Sequence, residues 1–294
     1  MKTIFLGLVS AGLLLAADND TTRGIVPEEV LKARPQTPVA AAKKPTSAPV
    51  YQGTGGGAAK PAAGARQVGV TIWRLRPASQ GGTGARILVQ EETATTEFVP
   101  ERVGSTTSLQ AGDRVRLTVE SPETGYLYVI DRERYASGER GAPWLIFPTT
   151  RTRDGDNRVT AGKLIDIPGQ ADRPNFFSLR QSRVDQTEEE LSLILSKEPL
   201  EGIQIGAQAL QLTSEQVAGW ERRWGAGRVE SFELAGGAGR PWTRNEQQAA
   251  ADTTRVLTQE DPAPQTVYRV VSGTASKPSE PFLVKVRLRY SSGR

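Results

Sequence analysis

From Val68 onward, apolar residues in this chain return at every second position, and a period of two commits a polypeptide to strands with one buried face. In residues 68–75, Val68, Val70 and Ile72 share one face, while Trp73 and Leu75 fall on the other. Residues 114–121 alternate Val115, Leu117 and Val119 with Arg114, Arg116, Thr118 and Glu120. Ser121-Pro122-Glu123-Thr124-Gly125 then supplies turn chemistry before Tyr126-Leu127-Tyr128-Val129-Ile130-Asp131, which predicts a hairpin. Shorter or nearly continuous apolar runs at 86–90, 143–148, 163–167, 175–179, 230–234 and 266–271 read as further strands. Residues 143–148 carry the pattern of a strand buried on both faces. Phe282 to Tyr290 alternates over its whole length and predicts a long closing strand.

Helical periodicity interrupts this pattern in three places. Thr187-Glu188-Glu189-Glu190 has the spacing of a capping box; Leu191, Ile194 and Leu195 follow as an apolar stripe, with Lys197 before Pro199. This predicts a helix and accounts for the acidic triplet without chemistry. Thr213 with Gln216 opens a second, carrying Val217, Trp220 and Trp224 on one face. A third is expected over 243–257, where Thr243 and Glu246 repeat the box. The expected fold class is therefore mainly β: an antiparallel β-sandwich-like domain over residues 67–294 with two or three inserted helices.

What precedes that domain has a different composition. Residues 1–17 read as a signal peptide, with Lys2, a short apolar run from Ile4 to Leu15, and cleavage near Ala17 and Asp18. The run is too short to span a bilayer and is followed at once by Asp18 and Asp20. Glu28-Glu29-Val30-Leu31 could form one helical turn. From Lys32 to Arg66, 20 of 35 residues are Ala, Pro or Gly, too little large apolar surface to offset ordering entropy. Residues 18–66 are therefore expected to form a disordered tether, and the mature protein to be periplasmic or extracellular.

The chain holds 37 Lys+Arg against 33 Asp+Glu, with no His and no Cys. The leader and tether contain eight of the basic and four of the acidic residues, so 67–294 balances at 29 of each. Bulk charge thus gives no support to a phosphate-tracking groove, and no nucleic-acid partner is expected. Lack of His and Cys excludes imidazole bases, thiol nucleophiles, disulfides and zinc-thiolate sites. The Gly-x-Ser-x-Gly elbow, the Ser-x-x-Lys pair and the Walker loop are absent too. Asp154-Gly155-Asp156-Asn157 is the one metal-like string, but a calcium loop starting there would need oxygen ligands at Arg158 and Ile165. Asp154, Asp156 and Asn157 remain weak metal candidates, an Asp-Gly turn being the simpler account, and no cofactor is expected. A glycosidase needs two carboxylates beside a cleft, and one sequence cannot select the pair.

Several of these motifs, in this order, resemble the bacterial domain of unknown function numbered 4384. They are Gly112-Asp113-Arg114 through Ser121, Gly125 through Ile130, Leu145-Ile146-Phe147-Pro148, Asn157 through Gly162, Ile167-Pro168, and Glu189 through Leu200. Trp73-Arg74-Leu75 resembles a lead-in strand of similar exported proteins, and the strands between Thr266 and Tyr290 are similar too. The resemblance implies an extracytoplasmic β-rich domain, joined in some relatives to caspase-like peptidase or protein-kinase modules that this sequence does not carry. It brings no catalytic residues. It implies structural positions only: Gly125 at the hairpin turn, Tyr126 and Tyr128 on a strand face, Phe147-Pro148 at a strand end. The resulting expectation is a non-catalytic envelope module that binds a protein or glycan partner, without a membrane span once the signal is removed. Residues 131–142 and 149–157 are the candidate recognition loops, with ordinary solvated connections as the plainer reading of both. The alternative is a hydrolase of glycans that works through carboxylates alone.

Overall fold

The longest strand, β1 (Ala65–Pro77), organises one of two sheets in the computed structural model. The structure describes Arg34 and residues 65–79, 83–90, 95–252, 255–259, 261–271 and 279–291. Both the expected signal peptide and, apart from Arg34 and its last two residues, the expected tether lie outside the described residues. Along one edge β1 pairs β13 (Thr266–Val271) and then β3 (Thr95–Val103); along the other it pairs β4 (Arg114–Glu120). β12 (Arg228–Glu233) and β2 (Ile87–Gln90) extend the first edge, while β8 (Leu164–Ile167) and β9 (Phe177–Ser178) border β4. The second sheet runs β11 (Leu210–Gln211), β6 (Trp144–Phe147), β5 (Gly125–Tyr135), β10 (Gln186–Ser196), β14 (Phe282–Arg289). The two-residue β7 (Arg158–Val159) pairs the start of β5. Every strand ladder is antiparallel.

Alternation explains how the sheets face each other. Val68, Val70 and Ile72 of β1 and Val115, Leu117 and Val119 of β4 meet Leu127 and Val129 of β5, Leu191, Leu193 and Leu195 of β10, and Val284, Val286 and Leu288 of β14. Each outer face has its own cover. α1 (Ser214–Trp224) lays Val217 and Trp220 over Tyr128, Ile130, Ile194 and Leu283. On the opposite side Trp242 and Ala250, the latter from α2 (Arg244–Ala251), pack over Trp73, Leu75, Ile87 and Phe98. No helix among the described residues is long and apolar enough to cross a membrane.

Both caps form as their spacing predicts. Thr213 Oγ1 accepts from Gln216 N at 3.1 Å, and Thr243 and Glu246 complete a reciprocal box. α2 ends at Ala251, shorter than expected, and its cap Asp252 is extended.

Several expectations fail. Residues 187–197 are not a helix but most of β10, paired to β5 on one side and β14 on the other. The Leu191–Leu195 stripe served both periods, and burial between two long partners decides for strand. β4 and β5 do not form a hairpin: residues 121–124 carry the chain from one sheet to the other, so both strands aim their apolar residues into the same interior from opposite sides. Gly125 consequently answers to packing rather than to a turn, since a Cβ there would lie 2.2 Å from the Ser196 carbonyl oxygen. β6 buries only Leu145 and Phe147, while Trp144 is 41% exposed. β3 was not expected at all, because Pro100 interrupts its pattern. β1 starts at Ala65, and Arg66 is buried, paired with Glu123 and stacked 4.2 Å from the Phe282 ring.

Candidate functional site

Chemistry-bearing side chains gather in four places. The first is the acidic triplet. Because β10 is a strand, alternation sends Glu188 and Glu190 to the outer face and Glu189 into the sandwich. Glu190, 1% exposed, accepts from Arg134 at 3.3 Å and Lys285 at 3.1 Å and also pairs with Arg140. Glu221 of α1 joins this lattice through Arg140 at 2.7 Å and Lys285 at 3.1 Å. Burial alone would raise the Glu221 carboxyl, but the two cations override it and hold it down at about 2. The lattice is a charged cover that continues the sheet face beyond the edge of α1.

Glu189 points the other way, toward Asp131 and Glu133 of β5. Tyr290 Oη and Gln186 Nε2 donate to its Oε1 at 2.9 and 2.8 Å. Its Oε2, like Asp131 Oδ1, is buried without a hydrogen-bond partner among the described residues, and the two carboxyls act on each other through their charges. Burial, then the charges of Glu189 and Glu133, push the Asp131 carboxyl well above the ordinary range. Burial likewise raises Glu189. Both shifts run in the direction that favours holding a proton over ionising both carboxyls.

The third place is the string singled out as metal-like. Arg153 and Asp154 adopt positive φ (54° and 53°) in a short 3-10 turn, held by Arg153 N donating to Asp172. Asp156 Oδ1 accepts from the backbone and Nε of Arg158, at 3.1 and 3.0 Å. Asn157 is buried; its amide donates to the Leu127 carbonyl at 3.0 Å and its own carbonyl accepts from Leu127 N at 2.9 Å. Two of the three weak metal candidates are thus engaged with protein partners, and Asn157 pins β5. Among the described residues no group of three or more Asp or Glu is placed to hold a metal ion.

Beside this turn lies the fourth feature, a cleft of about 500 Å³ at the corner where the two sheets meet. Gly125, Tyr126 and Thr124 come from the start of β5, Arg158 and Val159 from β7, Thr160, Lys163 and Leu164 from the bend into β8, and Lys197 and Glu198 from the end of β10. Arg153, Asp156 and Ile165 complete it. Four cationic side chains (Arg153, Arg158, Lys163, Lys197) face two carboxylates, with the Tyr126 ring and two threonines between them. Burial would raise the Asp156 carboxyl, but bonds from Arg158 override it and lower it, so it stays ionised. Lys197 also pairs with Glu123 at 2.9 Å, fixing its stem at the rim.

Of the two expected recognition loops, 149–157 does contribute to this cleft. Residues 131–135 belong to β5 itself, so the other loop shrinks to the connection after Tyr135 and lies at the far end of that strand. Tyr126, Lys163 and Lys197 were missed as site residues: they are far apart in sequence, and only the corner between sheets joins them. No curated protein and no solved structure matches the chain. Residues 108–199, which contain every residue lining the cleft, match the family model described as Domain of unknown function (DUF4384), the family that the order of motifs resembles.

Proposed function

We propose that this protein is a non-catalytic, exported binding module whose corner cleft receives an anionic glycan. One observation carries the reading: four cations, two hydroxyl side chains and one aromatic ring converge on a 500 Å³ cleft within residues 108–199. Guanidinium and ammonium groups bind carboxylate or phosphate substituents, threonine hydroxyls satisfy sugar hydroxyls, and a tyrosine face covers the apolar side of a sugar ring. Export rests on the leader at residues 1–17, and the envelope supplies such polymers.

The carboxylate hydrolase has one observation in its favour, the Asp131–Glu189 pair with raised pKa values. Neither residue lines the corner cleft. A glycosidase needs its proton-donating carboxyl and its substrate groove in one place. Here the groove holds an ionised Asp156 and the raised pair sits at the other end of β5. Binding is the reading that the geometry favours.

The test is calorimetric titration with oligogalacturonate and, as a neutral control, maltohexaose. The proposal expects binding of the first alone, weakened by added salt. Arg158→Glu combined with Lys163→Glu should weaken it several-fold, the modest effect expected of exposed, screened charges. Equal binding of both sugars, or none of either, overturns it.

A further inference from the structure

Arg34 stands near the start of the stretch whose composition reads as spacer, yet it is 2% exposed and held in the body of the fold. Its guanidinium grips Glu120 at the end of β4 with two parallel bonds, Nε to Oε1 at 2.7 Å and Nη2 to Oε2 at 2.8 Å. Nη1 donates to the carbonyls of Thr258 and Asp261 at 2.9 and 2.7 Å, and Nη2 to that of Pro262 at 3.1 Å. All five N–H donors of a guanidinium are thereby used. The acceptors are built to stay where they are. Glu120 is 3% exposed on a strand bonded on both edges. Asp261 ties these acceptors together: its Oδ2 accepts from Thr258 N at 2.7 Å and its other oxygen pairs with Arg255.

One buried carboxylate and three converging carbonyls are costly to leave without a cationic donor. A lysine would supply three donors from a point and could not form the parallel pair. Residues 35–64 separate Arg34 from β1, a contour of about 100 Å when extended. The plug therefore reaches the fold independently of the strand order.

We propose that Glu120 with the carbonyls of Thr258, Asp261 and Pro262 forms a socket specific for an arginine side chain, and that Arg34 of the same chain is its resident, separable ligand. The socket lies on the outer face of the eight-stranded sheet, apart from the corner cleft, and does not depend on what that cleft binds.

The experiment is chemical rescue in the full chain. Arg34→Ala should lower the thermal midpoint by about 5–15 °C, since a buried pair loses one partner. Millimolar N-ethylguanidinium should restore most of that loss, and ethylammonium at the same concentration should not. In Arg34→Ala combined with Glu120→Gln the cation should restore nothing. A labelled peptide copying residues 28–43 should bind Arg34→Ala and not the unaltered chain, whose socket is filled. Should Arg34→Ala fail to fold, refolding with each cation replaces the melt, and recovery with N-ethylguanidinium alone supports the socket. An unchanged midpoint, equal rescue by both cations, or a peptide that binds the unaltered chain equally well overturns it.

Discussion

Asp131 occupies the position on β5 where the inward row Leu127, Val129 gives way to carboxyls, and its Oδ1 is buried without a hydrogen-bond partner. Raised folded pKa values mean that the folded chain holds a proton more tightly than the unfolded one. The pair's contribution is therefore most favourable at acid pH and declines as pH rises above the unfolded carboxylate value of about 4. Asp131→Asn replaces a buried carboxyl that resists ionisation by a neutral amide of the same shape. It should raise stability at pH 7 by about 1–3 kcal/mol, a gain that shrinks as pH falls through about 4, measured by urea unfolding across pH. Single residues of this kind were the least legible part of the sequence. Asp131 and Glu189 meet through register between strands, and the Asp154–Asn157 string was legible only as a turn because Leu127, the partner of Asn157, lies elsewhere in the chain.

Among elements, those whose signal is local were read well. The period-two strands β1, β4, β13 and β14, and the caps of α1 and α2, depend on neighbours within a few residues and appear as expected. β10 shows the limit. Thr187 through Leu195 satisfies a helical box and stripe, and only the presence of β5 and β14 on both sides gives its amides strand partners. α2 offers a sharper test of capping. Glu246 Oε2 accepts from the backbone and hydroxyl of Thr243 at 2.8 and 2.7 Å, while Oε1 pairs with the buried Arg102. Thr243→Ala should cost about 1 kcal/mol in denaturant unfolding. Glu246→Ala should cost about 3–5 kcal/mol, because it also strands a buried guanidinium. Similar losses for both would mean that the Arg102 pair adds little to the cap.

At the scale of the molecule, alternation announced a sandwich but not how its layers are threaded. The 121–124 segment has the residues of a tight turn and was expected to fold β5 back beside β4; it bridges the layers instead, since turn chemistry fixes a reversal and not the sheet in which the next strand lands. The same threading builds the corner. Tyr126 and Arg158 belong to the six-stranded sheet, Leu164 and Ile165 to the eight-stranded one, and no ladder hydrogen bond joins the two there. A guest in the cleft would act as a clasp between the layers at a corner that no strand ladder crosses among the described residues. Saturation with an acidic oligosaccharide should accordingly slow amide exchange in β7 and β8 together, whereas a guest gripping one wall would quiet only one of them. If both strands respond, occupancy of the cleft also sets how easily the sandwich opens along that seam.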